Sequence, residues 1–190
     1  MLTTDEDSVA RARETARDAA ALLARHQVPG ELVLTGGSSL PGLLTQGDVD
    51  LHLRVGPGEL DVAVERLHRV AEPVHRHLWT DEFATFERPV PPVVGIAVTV
   101  VGGEHDTRFV RGWARLRDDP VARDRYHELK RGTGVEAAKS ASSTPWPTTG
   151  TRSLRANATT STLSLRVLKM EVHSSSGPGH GGRAGRTCGR

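Results

Sequence analysis

The sequence predicts an α/β fold, a small mixed β-sheet of about four strands with helices packed around it. Long stretches repeat apolar residues every three or four positions, which is typical of helices that bury one face. Between them lie shorter apolar or alternating stretches that end at glycine or proline, which is typical of strands. Because the two kinds of segment alternate along the chain, we expect one sheet rather than separate helical and β regions.

Four helices are predicted from this periodicity and from its boundaries. Asp7 or Ser8 can cap the first helix, and Pro120 suits the first position of the last, where its missing amide proton costs little. We expect the helices to pack around one face of the sheet. They are predicted at residues 7–26, 59–72, 105–119 and 120–132.

Four strands are predicted, and they should supply most of the core. The first, LVLTGG, is a continuous apolar run stopped by two glycines, so we expect it to be buried. The strands are predicted at residues 32–37, 48–55, 83–89 and 93–103. The expected core residues are seven apolar side chains of these strands and one tryptophan: Leu32, Val33, Leu34, Val49, Leu51, Val98, Val100 and Trp113.

Cysteine content and hydropathy indicate the cellular setting. The one cysteine, Cys188, excludes a disulfide framework within the chain. The first residues, MLTTDEDSVARARE, are charged and lack the apolar segment of a secretory signal. No run approaches the ~18 apolar residues of a membrane span. We therefore expect a cytoplasmic protein with no membrane partner.

Charge and composition both change near residue 141. Residues 1–140 carry 18 basic and 22 acidic side chains, whereas residues 141–190 carry seven basic and one acidic. The later segment is rich in Ser, Thr, Gly, Pro and Arg and is predicted to be disordered or loosely docked. We therefore place one folded domain at 1–140 and a basic tail at 141–190, a break that a shifted reading frame near Ala141 would also produce.

Two aspartates stand one residue apart where the second strand begins. Side chains alternate along a strand, so Asp48 and Asp50 project to the same side and repel each other unless a cation offsets the repulsion. As hard oxygen ligands they suit Mg²⁺. The preceding Gly36-Gly37-Ser38 permits close approach of the backbone and offers N–H groups and a hydroxyl to a phosphate. This pattern points to the chemistry of a nucleoside triphosphate.

The same part of the sequence also has simpler explanations. Aspartate is common in turns such as Gln46-Gly47-Asp48, and the glycines could form a tight loop without a ligand. His52 is expected to be a half-buried strand residue, and Asp106 could cap a helix. Lys130 and Arg131 are expected to end a helix, where they would interact favourably with its dipole, and contact with a phosphate is the alternative. The residues alone leave a ligand site and a structural turn both open.

The arrangement resembles a known family of proteins. Gly37-Ser38, nine intervening residues and Asp48-Val49-Asp50-Leu51 are similar to the G-S…D-x-D signature of the DNA polymerase β-like nucleotidyltransferase superfamily. More closely, GSSLPGLLTQGDVDL resembles the G-S-T-x-x-P-G-L…I-D-I stretch of the GrpB-like family of that superfamily. RFVRGWARLRDDPVARDRYHELKR is similar to that family's helical ending, so the resemblance runs from about Leu32 to Lys139.

The resemblance implies a Mg²⁺-dependent nucleotidyltransferase that binds a nucleoside triphosphate and transfers a nucleotidyl group to an unidentified acceptor. It assigns Asp48 and Asp50 to catalysis and to the metal. The residues that it assigns to nucleotide binding form one turn: Gly36, Gly37, Ser38 and Ser39.

Enzymes of the superfamily usually add a third carboxylate on a neighbouring strand, and VVGIAVTVV contains none. The available substitutes are Glu87, Glu104 and Asp106, and we assign Asp106 as the third metal ligand. The alternative function is that of a catalytically inactive nucleotide-binding or interaction protein of the same fold. Nucleic-acid binding is a further interpretation, which rests on the charge of the tail alone.

Overall fold

The structure is a computed structural model that describes residues 2–4, 6–89 and 91–142, with side chains through residue 132. Within these ranges the chain forms a mixed α/β domain of four α-helices and a five-stranded sheet. The helices are α1 (Glu6–Arg25), α2 (Leu60–Leu67), α3 (Glu104–Asp118) and α4 (Pro120–Ser142). The strands are β1 (Glu31–Thr35), β2 (Val49–Val55), β3 (Glu72–Pro73), β4 (Phe83–Arg88) and β5 (Val94–Val100). No helix among the described residues is long and apolar enough to cross a bilayer.

Every helix and strand that the periodicity predicts is present. The predicted second helix is shorter, since α2 ends at Leu67. The two-residue strand β3 was not predicted, because it is too short to leave a pattern. Residues 135–141, VEAAKSA, are helical in sequence, and the structure joins them to the predicted helix 120–132 as one helix, α4, that continues to Ser142. Residues 143–190 lie outside the described residues, so the predicted basic tail stays a prediction.

The order of strands decides which apolar residues are shielded. The order is β1-β2-β5-β4-β3, with β2 and β5 parallel and the other neighbours antiparallel. β1 is therefore an edge strand, and the expectation that it is buried is wrong: Leu32, Val33 and Leu34 are only partly buried, because one neighbouring strand shields them. Val100, at the end of β5, is also only partly buried.

Helices cover both faces of the sheet, so the expectation of helices on one face is wrong. The first face carries Leu51 and the other odd-numbered residues of β2, and α1 and α2 pack on it. Small side chains in α1, such as Ala12 and Ala19, are almost fully buried and let the helix approach the sheet closely. The predicted core residues Val49, Leu51 and Val98 are buried there.

The second face carries the even-numbered residues of β2, which are Asp50, His52 and Arg54. α3 and α4 cover it with aromatic side chains, among them Trp113 and Tyr126, and Trp113 is buried as predicted. Of this polar row only His52 is buried, and Asp50 and Arg54 stay partly exposed at the two ends. This face is the one on which the predicted site residues lie.

The edge position of β1 gives a matched pair of substitutions, since Leu34 and Leu51 lie directly opposite each other on the first face. Leu51 is 1% exposed, so Leu51→Ala should lower the unfolding free energy by about 3 kcal/mol. Leu34→Ala should cost only about 1 kcal/mol, because its side chain is partly in water already. Urea denaturation of both variants measures the difference, and equal costs would show that β1 is shielded in solution.

Candidate functional site

The turn after β1 and the start of β2 lie side by side. Thr35 ends β1 and pairs with Asp50, and its hydroxyl donates to the Asp50 carbonyl oxygen at 3.1 Å. Residues 37–39 then form a single 3-10 turn. The pairing therefore places the predicted nucleotide-binding turn, residues 36–39, beside Asp48 and Asp50.

Gly36 is required at its position for two reasons. Its φ of +76° lies in the left-handed region that side chains disfavour. A Cβ atom at this position would also overlap the carboxylate of Asp50 and lie 2.8 Å from the Asp50 Cβ. The carboxylate of Asp50 thus lies directly against the backbone of the turn.

Ser38 fastens the turn to β2. Its hydroxyl donates to the carbonyl oxygen of Asp48 at 2.8 Å and lies 2.6 Å from the hydroxyl of Thr45, and Ser38 is 1% exposed. The Ser39 hydroxyl likewise donates to the Gly36 carbonyl at 2.7 Å. Because both hydroxyl protons are used inside the loop, neither hydroxyl is left to donate to a phosphate, although the sequence suggests such a contact.

The carboxylate of Asp48 is the least satisfied polar group of the loop. Its Oδ2 is buried and has no hydrogen-bond partner among the described residues, and its Oδ1 lies at 3.4 Å from the Thr45 hydroxyl, a weak contact. A buried acceptor without a donor costs roughly 1–3 kcal/mol. Mg²⁺ favours carboxylate oxygens, so this donor set fits the metal that the resemblance implies.

Asp106 lies elsewhere, at the far end of β2. It accepts two hydrogen bonds from Arg54, at 2.7 and 3.0 Å, and one from the Gly102 amide at 2.9 Å. The Arg54 guanidinium therefore holds the Asp106 pKa low, at about 2. Arg54 is four residues from Asp50, or roughly 13 Å along the strand. The structure thus does not bring Asp106 to the two aspartates.

His52 belongs to the same buried network as Asp106. It is 2% exposed, more buried than expected; its Nε2 lies 2.7 Å from the Thr99 hydroxyl, and its ring lies against Phe109. Burial lowers its pKa to about 4, so the ring is neutral at physiological pH. No sequence signal identified this network, because its members come from β2, β5 and α3.

Glu87 and Glu104, the other substitutes for a third carboxylate, differ in burial. Glu104 is exposed and pairs with Arg108 on its own helix. Glu87 is 8% exposed, and its Oε2 has no hydrogen-bond partner among the described residues. Burial, and then the charge of Glu72, raise the pKa of Glu87.

Glu87 lies in the same row of the sheet as Asp50. In the register, Asp50 pairs with Gly95 on β5, and Gly95 pairs with Glu87 on β4. The two carboxylates are thus two strands apart, roughly 10 Å, with no side chain between them. Within the described residues no three His, Cys, Asp or Glu side chains come close enough to hold a metal ion together.

A cavity lies beside Asp48, on the side of β2 opposite the turn of residues 36–39. The Val49 amide donates to the Val93 carbonyl, so the proline-rich segment before β5 lies on that side. A cavity of about 290 Å³ opens between them, and a second, of about 550 Å³, continues toward α1. The first cavity is lined by Gln46, Gly47, Asp48, Pro89, Pro91, Pro92 and Val93.

Replacing Gly36 by alanine should destabilise the fold by about 2 kcal/mol, because it adds a strained φ and an overlap with Asp50. In an Asp50→Gly background the overlap is gone, so the same change should cost about 1 kcal/mol less. A double-mutant cycle by thermal denaturation measures this coupling. Additive costs would mean that Asp50 does not touch Gly36 in solution.

Asp106→Asn should lower the unfolding free energy at pH 7 by about 2 kcal/mol, because it weakens the pair with the partly buried Arg54. The pKa of Asp106 is depressed from 3.8 to about 2, so the stability that it adds is present above about pH 4 and is lost as the pH falls toward 2. Denaturation at several pH values should show the two proteins converging over that window. A constant difference down to pH 2 would contradict this role.

Comparison with known proteins identifies the fold. No protein-family model matches the chain, and no curated protein matches it. The crystal structure of the conserved protein GrpB from Enterococcus faecalis is similar, with a TM-score of 0.56 and 14% sequence identity. The match covers 90% of this chain and 99% of that one. The chain therefore has a GrpB-like fold, as its sequence predicts.

Proposed function

We propose that the protein binds a nucleoside triphosphate together with Mg²⁺ and transfers a nucleotidyl group to a small acceptor. One observation carries the proposal: the buried Oδ2 of Asp48, which no donor among the described residues reaches, near a second aspartate where a tight glycine turn meets the strand. A turn that served only to connect two strands would gain stability from an uncharged residue here. The GrpB-like fold agrees with the proposal but does not carry it.

The chain's own residues have distinct tasks in this proposal. Asp48 and Asp50 hold the metal, and bound Mg²⁺ supplies charge neutralisation and polarisation of the phosphate oxygens. Gly36 and Gly37 let the turn pack against the Asp50 carboxylate and the Leu44 carbonyl, which a side chain at either position would overlap. Ser38 and Thr45 keep the loop rigid, so the site is preorganised.

The cavity beside Asp48 supports a small acceptor. In an in-line displacement the acceptor attacks from the side opposite the leaving pyrophosphate. If the phosphates lie over the turn, that opposite side is the proline-lined cavity of about 290 Å³. A volume of this order fits a small molecule rather than a polymer.

A second candidate function is nucleotide binding without turnover. Its support is that neither candidate for a third carboxylate lies at the two aspartates. Asp106 is paired with Arg54, and Glu87 lies two strands from Asp50. Both candidates require the same binding site. They differ only in the release of pyrophosphate.

Asp50→Asn separates a ligand site from a structural turn. Saturating Mg²⁺ with a nucleoside triphosphate should stabilise the parent by about 2–3 kcal/mol, as expected at 100 times the dissociation constant, and should stabilise the variant much less. Without ligand the variant should be at least as stable as the parent, because one of two like charges is gone. Thermal shifts with each of the four nucleoside triphosphates, with Mg²⁺ or chelator, measure both effects.

The control is Asp61→Asn, which removes an exposed aspartate from α2, the helix on the opposite face of the sheet. It should respond to ligand as the parent does. Equal shifts in the parent and Asp50→Asn would exclude the metal site, and no shift in any protein would exclude nucleotide binding altogether. Pyrophosphate release then distinguishes transfer from binding alone.

A further inference from the structure

Thr45 lies at the centre of a series of hydrogen bonds beside Asp48. It is in the loop between the glycine turn and β2, is 1% exposed, and its backbone makes two hydrogen bonds with Thr3, at 2.8 and 2.9 Å. Its hydroxyl accepts from the Gly47 amide at 3.0 Å and lies 2.6 Å from the Ser38 hydroxyl. The same hydroxyl lies 3.4 Å from Oδ1 of Asp48. The one hydroxyl proton of Thr45 therefore has two candidate acceptors.

Ser38 decides which acceptor receives that proton. The Ser38 hydroxyl donates to the Asp48 carbonyl at 2.8 Å, and no backbone amide among the described residues donates to this carbonyl. Because a hydroxyl has one proton and two lone pairs, Ser38 has no proton left for Thr45 and can only accept from it. The resulting hydroxyl chain runs from the Gly47 amide to Thr45, from Thr45 to Ser38, and from Ser38 to the Asp48 carbonyl.

The hydroxyl chain leaves the Asp48 carboxylate without a donor among the described residues. Its Oδ2 has no hydrogen-bond partner there, and the proton of Thr45, the neighbour of its Oδ1, is used on Ser38. The 3.4 Å contact also exceeds the length of about 2.5–3.0 Å that is usual between a hydroxyl and an oxygen acceptor. Asp48 is partly exposed and lines the cavity of about 290 Å³, so it borders space that an ion can enter. The lone pairs of both carboxylate oxygens thus remain for a cation.

We propose that Thr45 is a positioning residue of the cation site: it donates its proton to Ser38, which keeps that proton off Asp48 and leaves both carboxylate oxygens for one divalent cation. This inference rests on the proposed function and adds to its metal site a residue that acts through Asp48. Without the Ser38 hydroxyl, Thr45 loses its acceptor and its proton turns to Oδ1 of Asp48, because buried hydroxyls are hydrogen-bonded. A cation then has to displace a hydrogen bond in order to bind.

Titration with Mg²⁺ alone, followed by NMR at the side-chain carboxyl carbon of Asp48, tests this inference without a nucleotide. Ser38→Ala should weaken Mg²⁺ binding by roughly fivefold or more, because a hydrogen bond to the carboxylate must first be broken. Adding Thr45→Val removes the competing proton and keeps the side-chain shape, so the double variant should bind at least about threefold more tightly than Ser38→Ala. In the metal-free proteins the Asp48 carboxyl signal should move in Ser38→Ala and return in the double variant.

The matched control is Ser39→Ala, which removes a hydroxyl that donates to the Gly36 carbonyl at 2.7 Å, outside the hydroxyl chain, and should change Mg²⁺ binding by less than about twofold. A double variant that binds no better than Ser38→Ala would show that the hydroxyls only shape the loop, and would overturn the inference. Tighter binding by Thr45→Val alone would also overturn it, since the proton would then lie on Asp48 in the parent; this variant decides the matter if Ser38→Ala does not fold in thermal denaturation. A parent that binds no Mg²⁺ would overturn the inference too, and the thermal shifts with nucleoside triphosphates decide the proposed function separately.

Discussion

The contact between the Asp50 carboxylate and the backbone of Gly36 is the constraint around which this end of the molecule is arranged. It requires glycine at the end of β1, because any side chain would occupy the position of the carboxylate. It also fixes the direction in which the chain leaves β1, and Ser38 then fastens the turn to the carbonyl of Asp48. The geometry that brings the two aspartates to the turn is therefore set by backbone and hydroxyl contacts.

The two ends of the second face differ in how their charges are balanced. At one end Asp106 is fully paired with Arg54 and the Gly102 amide, and the neutral His52 fills the space beside them. Such a network stabilises the packing of α3 on the sheet and has no capacity left for a ligand. At the other end an oxygen of Asp48 has no donor among the described residues. The fold thus satisfies one carboxylate completely and leaves the other short of a donor, which under the proposed function is the pattern expected where stability is given up for binding.

The parts of the fold that were predictable from the sequence are those set by local patterns. Periodicity located every helix and the four longer strands, and the spacing of Gly36, Ser38, Asp48 and Asp50 placed them together correctly. Pairing across the sheet leaves no such pattern. Leu34 is less buried than its apolar run implied, because β1 lies at the edge of the sheet. Asp106 reaches Arg54 because it follows β5, and β5 is the parallel neighbour of β2.

The row that joins Asp50, Gly95 and Glu87 shows how the face tolerates its acidic residues. Buried carboxylates on adjacent strands would repel strongly, but Gly95 separates these two by a full strand without filling the space. Burial, and then the nearby charge of Glu72, raise the pKa of Glu87 and so favour its protonated form. Because the pKa is higher in the folded state, the group stabilises the fold at low pH, and this contribution is lost as the pH rises through the folded pKa. The raised pKa of Glu87 thus lessens the tendency of this row to gain a further negative charge beside Asp50.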